Sequence, residues 1–152
     1  MKRILVPVDF SGITTPLLNT AETLARAFGA ELFLLHVARP EPEFISYEPG
    51  PASVRQAVAR EISEEHRKLH ALDRELESKG LTVTSLVIQG YTVEKILQEL
   101  ERLQIDLVVM GSHGHGALHH LLLGSVTEGV LRKATCPVLI IPMKQAQRDT
   151  GT

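Results

Sequence analysis

Leu32-Phe33-Leu34-Leu35-His36-Val37 contains one polar residue and no alternation of apolar and polar positions. A strand with one wet face alternates, whereas an unbroken apolar run reads as a strand covered on both faces, as in a parallel sheet between two layers of helix. Four more short stretches read as strands: Ile4 to Val8, Thr82 to Ile88, Asp106 to Met110 and Pro137 to Ile141. Between them, apolar residues recur at helical spacing. Leu17, Leu18, Ala21, Leu24, Ala25 and Phe28 lead to Gly29, and Val54, Val58, Ile62, Leu69, Leu72 and Leu76 mark one face of a long helix ending near Gly80 and lying on the sheet. Val93, Ile96, Leu97 and Leu100 define a third helix, and Ser125 to Ala134 a fourth. Five strands alternating with four helices imply right-handed crossovers and an α/β fold: one doubly wound open sheet of five parallel strands flanked by four helices. The strand order expected of that fold class is 3-2-1-4-5.

A chain of 152 residues suits one domain. We expect it to occupy residues 1–143, with 144–152 as a polar tail. The formal net charge of −2 supplies no broad positive field, which argues against nucleic acid. No apolar run approaches the roughly 18 residues that cross a bilayer, so no membrane association is expected. Cys136 is the only cysteine, and no long apolar segment follows Met1-Lys2-Arg3, which predicts a reducing cytoplasm. Pro40, Pro42, Pro49, Gly50 and Pro51 punctuate an irregular stretch from Ala38 to Ala52 that we expect to shape a site entrance.

In open α/β sheets the ligand crevice lies beyond the carboxyl ends of the strands, where the strand order reverses. Two strand ends carry the relevant chemistry. The first is Pro7-Val8-Asp9 with Ser11 two residues on; the fourth is Met110-Gly111-Ser112-His113-Gly114. Gly111, Gly114, Gly116 and Gly124 stand close together, with Ser125 opening a helix. Glycine admits positive φ and close backbone approach, and a helix start offers free N–H groups and a positive dipole end, so this loop suits a phosphate. Neither a P-loop nor Gly-x-Gly-x-x-Gly after the first strand is present, which argues against a P-loop NTPase and a dinucleotide dehydrogenase.

The motifs Ile4-Leu5-Val6-Pro7-Val8-Asp9-Phe10-Ser11, His36-Val37, Asp106-Leu107-Val108-Val109-Met110-Gly111-Ser112-His113-Gly114, Leu122-Leu123-Gly124-Ser125-Val126 and Cys136-Pro137-Val138-Leu139-Ile140-Ile141-Pro142 span nearly the whole chain. In them the sequence resembles the universal stress protein family. Gly111-x-x-Gly114, a nine-residue spacer and Gly124-Ser125 are similar to the signature of that family's ATP-binding branch. The resemblance implies adenine near Pro7, Val8 and Val37, with the Val37 main chain as a base contact, and Asp9 facing the ribose or a phosphate-bound metal. Met110, Gly111 and Gly114 would line the ribose and phosphates, with Gly124, Ser125 and Val126 at the phosphates. The implied cofactor is ATP, carrying Mg²⁺ or Mn²⁺ through its phosphates. His115 stands where family members often have a basic residue. The resemblance also implies a homodimer through Val138 to Ile141, an apolar edge strand that a second copy would cover.

Plainer readings accompany these. Asp9 or Ser125 would also serve as a helix cap. His113, His115, His119 and His120 lack a completing Cys or carboxylate in their loop, so no metal site is expected there. His36 reads as a satisfied packing residue, His66 and His70 as a solvated helix face, and Cys136 as structural. Three functions follow in order: an adenine nucleotide-binding regulatory module acting in a stress response on an unknown protein partner, with little or no turnover; a slow ATPase or autophosphorylating enzyme; and a nucleotide-free dimeric scaffold.

Overall fold

The computed structural model describes residues 1–40, 51–112 and 123–143. Its elements are β1 (Arg3–Pro7), α1 (Thr14–Phe28), β2 (Glu31–Ala38), α2 (Ala52–Ser78), β3 (Val83–Gln89), α3 (Thr92–Arg102), β4 (Leu107–Gly111), α4 (Ser125–Lys133) and β5 (Val138–Ile141). The strands form one parallel sheet, as the alternation of runs implied, in the expected order β3-β2-β1-β4-β5. Among the described residues no helix is long and apolar enough to cross a membrane.

The unbroken apolar runs have the expected cause. Consecutive residues Ile4, Leu5 and Val6 are all fully buried, because each face of β1 meets a different helical layer. Ile4, Val6, Leu32 and Leu34 pack with Leu17, Ala21 and Ala25 of α1 and Leu69 and Leu76 of α2. Leu5, Phe33, Leu35 and Val108 pack on the other side with Ile96 and Leu100 of α3 and Val130 of α4. Register ties the layers together, with Leu5 beside Phe33 on β2 and Val108 on β4. At the start of β4, the exposed Asp106 carboxylate accepts from the backbone N–H groups of Lys2 (2.6 Å) and Arg3 (2.9 Å), pinning β4 to β1.

Two helical faces depart from expectation. Phe28 shares the apolar spacing of α1 yet is 53% exposed, since it lies on the last turn before Gly29 adopts the left-handed conformation (φ 61°, ψ 39°). In α2 only Leu69, Asp73 and Leu76 are buried, and Val54 is exposed. A helix of 27 residues is about 40 Å long; β2 and β3, with 8 and 7 residues, each span about 25 Å. The carboxyl half therefore packs on the sheet while the apolar stripe of the amino half does not reach the core. Where α2 does pack, the Ser85 hydroxyl on β3 donates to Asp73 Oδ2 at 2.7 Å.

Candidate functional site

Strand order reverses between β1 and β4, since the first crossovers build outward through β2 and β3 and the last ones through β4 and β5. Helices α1 and α2 cover one face and α3 and α4 the other, so the carboxyl ends of β1 and β4 open into a gap that neither layer fills. A cavity of about 360 Å³ occupies it, within the usual range for small-molecule sites. Pro7, Val8, Asp9, Val37, Met110, Gly111, Gly124, Ser125 and Val126 all line it. Gly114, with His113, His115, Gly116, His119 and His120, lies outside the described residues.

The β1–α1 turn is held locally. Val8 N–H donates to Leu35 O at 2.8 Å, extending the ladder one residue past β1. Asp9 Oδ1 then accepts from both the backbone N–H (3.0 Å) and hydroxyl (2.6 Å) of Ser11, and Thr14 N–H donates to Ser11 O at 3.0 Å. Asp9 thus braces the turn; it does not cap α1, whose N-cap position is Ile13. Phe10 between them has φ 60°, a left-handed conformation that costs a non-glycine residue about 1–2 kcal/mol. Its ring centroid lies 4.6 Å from that of His36, and Lys68 Nζ sits 5.7 Å from it on the other element, α2.

On the opposite wall, Gly124 N–H donates to Ser112 O at 2.8 Å, and Ser112 N–H donates to Ile141 O at 2.9 Å, while the Ser112 hydroxyl accepts from Met143 N–H at 3.1 Å. Thr127, buried, donates its hydroxyl to Gly111 O at 2.8 Å. These bonds clamp the start of α4 against the end of β4 and the exit of β5. Gly124 is the N-cap, extended at φ −61° and ψ 153°, and Gly111 is the last residue of β4. Neither position uses left-handed backbone, so of the two expected reasons for glycine the positive φ does not hold at Gly111 or Gly124. Ser125 is the first helical residue rather than the cap. The Gly124 N–H is engaged, so the donors α4 can offer an anion are those of its first turn, Ser125, Val126 and Thr127, whose N–H groups precede the intrahelical ladder.

Ile13, Leu17, Leu35, His36, Thr92, Ile96 and Thr127 also line the cavity. Motif reading missed them as site residues because packing alone gathers Ile13 and Leu17 at and on α1, Leu35 and His36 on β2, Thr92 and Ile96 on α3 and Thr127 on α4. His36 is buried, as a packing residue should be, and its Nδ1 lies 2.8 Å from Val8 O. His66 and His70 are exposed on α2. Among the described residues no group of three or more His, Cys, Asp or Glu gathers as a metal site. Cys136 is half-buried in the core of the α3–α4 side; burial first, and then the nearby Asp106 charge, push its thiol pKa up.

A doubly wound sheet with a crevice at its switch point, a helix start on one wall and apolar residues around it defines an α/β domain built to hold a small ligand. The model of the universal stress protein family matches residues 1–142. The chain belongs to that family. It is 31% identical to universal stress protein MJ0577 of Methanocaldococcus jannaschii, across 95% of this chain and 97% of that protein. It is 33% identical to universal stress protein YxiE of Bacillus subtilis, across 91% and 97%. The solved structure of MJ0577 superposes with a TM-score of 0.82, covering 95% of this chain and 98% of that one. The universal stress protein of Archaeoglobus fulgidus, solved in complex with dAMP, shares the fold at 19% identity and a TM-score of 0.68, covering 93% of this chain and 98% of that one.

Proposed function

We propose that this chain is an adenine nucleotide-binding regulatory module that holds ATP at the switch point and acts in a stress response with little or no turnover. The observation that carries the reading is the convergence of Pro7, Val8, Val37 and Met110 with Gly111, Gly124, Ser125 and Val126 around one cavity. The chemistry of the lining fits the ligand. Apolar side chains such as Leu35, Ile96 and Met110 suit a flat aromatic base, and the strand-end carbonyl and N–H groups beside Val37 suit its polar edge. The first turn of α4 offers N–H donors and a positive dipole end to phosphate. A divalent ion, Mg²⁺ or Mn²⁺, would arrive on those phosphates and offset their charge. Asp9, braced by Ser11, would face the ribose or the phosphate-bound metal.

The test is thermal unfolding with Mg-ATP, with Mg-GTP and without ligand, after stripping any co-purified nucleotide. At a hundred times its dissociation constant a ligand contributes about 2.7 kcal/mol, a rise of roughly 5 to 10 °C for a domain of this size. A rise with ATP alone supports an adenine-selective site; no rise with either refutes it and favours the nucleotide-free scaffold. Steady phosphate release from bound ATP would move the reading to the enzyme.

The module is also proposed to be a cytoplasmic homodimer. Among the described residues β5 is an edge strand paired with β4 alone, and Leu139 on it and Leu131 on α4 are exposed. A second copy laid along Val138 to Ile141 would satisfy that edge. A monomeric mass by light scattering at micromolar concentration refutes this part.

A further inference from the structure

We propose that His36 and Glu65 form a proton-dependent clasp that joins helix α2 to the wall of the cavity and makes nucleotide binding proton-linked. The inference rests on the nucleotide reading above and adds its regulation. Val8 O can only accept, so His36 Nδ1, at 2.8 Å, must carry the hydrogen of that bond. In the neutral ring the other nitrogen then bears a lone pair. That nitrogen, Nε2, lies 3.3 Å from Glu65 Oε1 on α2. Two acceptors face each other there unless the pair holds one further proton.

The surroundings make that proton consequential. His36 Nε2 and Glu65 Oε2 are both buried and lack a well-aligned hydrogen bond, although the ion-pair distance is short. A buried acceptor left facing another is costly, and a shared proton turns repulsion into a charge-assisted contact. Glu65 lies one turn before Leu69, the first of the buried residues of α2. Among the described residues, the charged groups nearby are Lys68 of α2, over the Phe10 ring that packs on His36, and Asp9 of the turn, which lines the same cavity as His36. β3 contributes Val87, the register partner of His36. His36 itself touches both features that shape the wall, the Val8 carbonyl and the left-handed Phe10.

The sign follows from the donor requirement. With the extra proton the chain of contacts Glu65–His36–Val8 is complete, and the loss of that proton at higher pH breaks it. Binding that needs the ordered wall therefore weakens as pH rises.

The experiment measures ATP affinity by calorimetry at pH 6 and pH 8 for the parent, Glu65→Gln and His36→Asn. The Gln amide can donate to a neutral ring, and the Asn amide can keep the bond to Val8 O while removing Nε2. ATP's own titration and that of the glycine-loop histidines are common to all three proteins. We expect the Kd of the parent to rise between the two pH values by about fivefold more than that of either variant. Equal pH dependence in all three overturns the clasp. Hydrogen exchange of the Asp9 to Ile13 amides in ligand-free protein, compared at the same pH values between the parent and Glu65→Gln, separates the two readings. If ATP binds at no pH, the nucleotide reading fails. The clasp is then upheld by a parent-specific loss of protection at pH 8 and overturned by its absence.

Discussion

Gly129, in the middle of α4, should resist even the smallest side chain. In most exposed helix interiors Gly→Ala stabilises by about 0.8–1.0 kcal/mol through helix propensity alone. Here a Cβ would lie 2.8 Å from Val93 Cγ2 and 3.1 Å from Cγ1 on α3. Carbon atoms prefer separations of about 3.5–4.0 Å, so the nearer contact is roughly 0.7 Å too short. Val93 cannot turn aside cheaply, because a β-branched residue in a helix has one strongly preferred rotamer. The two helices must separate, and overpacking of this kind costs about 1–3 kcal/mol. Set against the propensity gain, Gly129→Ala should destabilise by about 0–2 kcal/mol. Urea unfolding of the parent, Gly129→Ala, Val93→Ala and the double variant measures it. In the Val93→Ala background the clash is gone, and Gly129→Ala should there stabilise by about 1 kcal/mol. Stabilisation by Gly129→Ala in the parent, or additivity of the two changes, would refute the reasoning. The same displacement moves the first turn of α4, so ATP affinity should fall in Gly129→Ala and recover in the double variant.

Thr127→Val preserves shape but removes the hydroxyl that donates to Gly111 O; we expect a loss of about 1–2 kcal/mol in urea unfolding, and an unchanged midpoint would mean the bond does not hold α4 to β4. The N–H groups of Lys2 and Arg3 hold the Asp106 carboxyl below its ordinary pKa. The folded state then binds fewer protons than the unfolded one near and below the unfolded value, so this contribution is fully present above about pH 4 and lost as pH falls through the depressed value. Asp106→Asn should flatten that part of the acid stability profile, and a profile parallel to the parent's would count against the assignment. Because burial raises the Cys136 pKa, alkylation by iodoacetamide at pH 7.5 should be slower in the folded protein than in urea; equal rates would show an accessible thiolate.

Much of the fold was readable in one dimension because each element carries its own periodicity. Ile4 to Val6 and Leu32 to Leu35 are apolar without alternation, and a strand flanked by helices on both sides is the structure that buries every residue of such a run. The strand-end residues of the cavity were equally legible, since a doubly wound sheet places the ends of β1 and β4 together once its order is given. Local pattern failed where burial depends on reach. Phe28 and Val54 have the spacing of core residues, yet one lies at a helix end and the other on a half-helix that extends past the sheet.

What the linear pattern determined was therefore the class of fold, the strand ends at the crevice and the family. What only the tertiary structure decided was how the walls are held: Thr127 on Gly111, Ser112 between α4 and β5, Asp9 turned onto Ser11, and Glu65 against His36. Apart from the Asp9–Ser11 turn, these contacts join residues far apart in sequence. Periodicity reports which side of an element is buried, but only packing determines which atom on another element it meets.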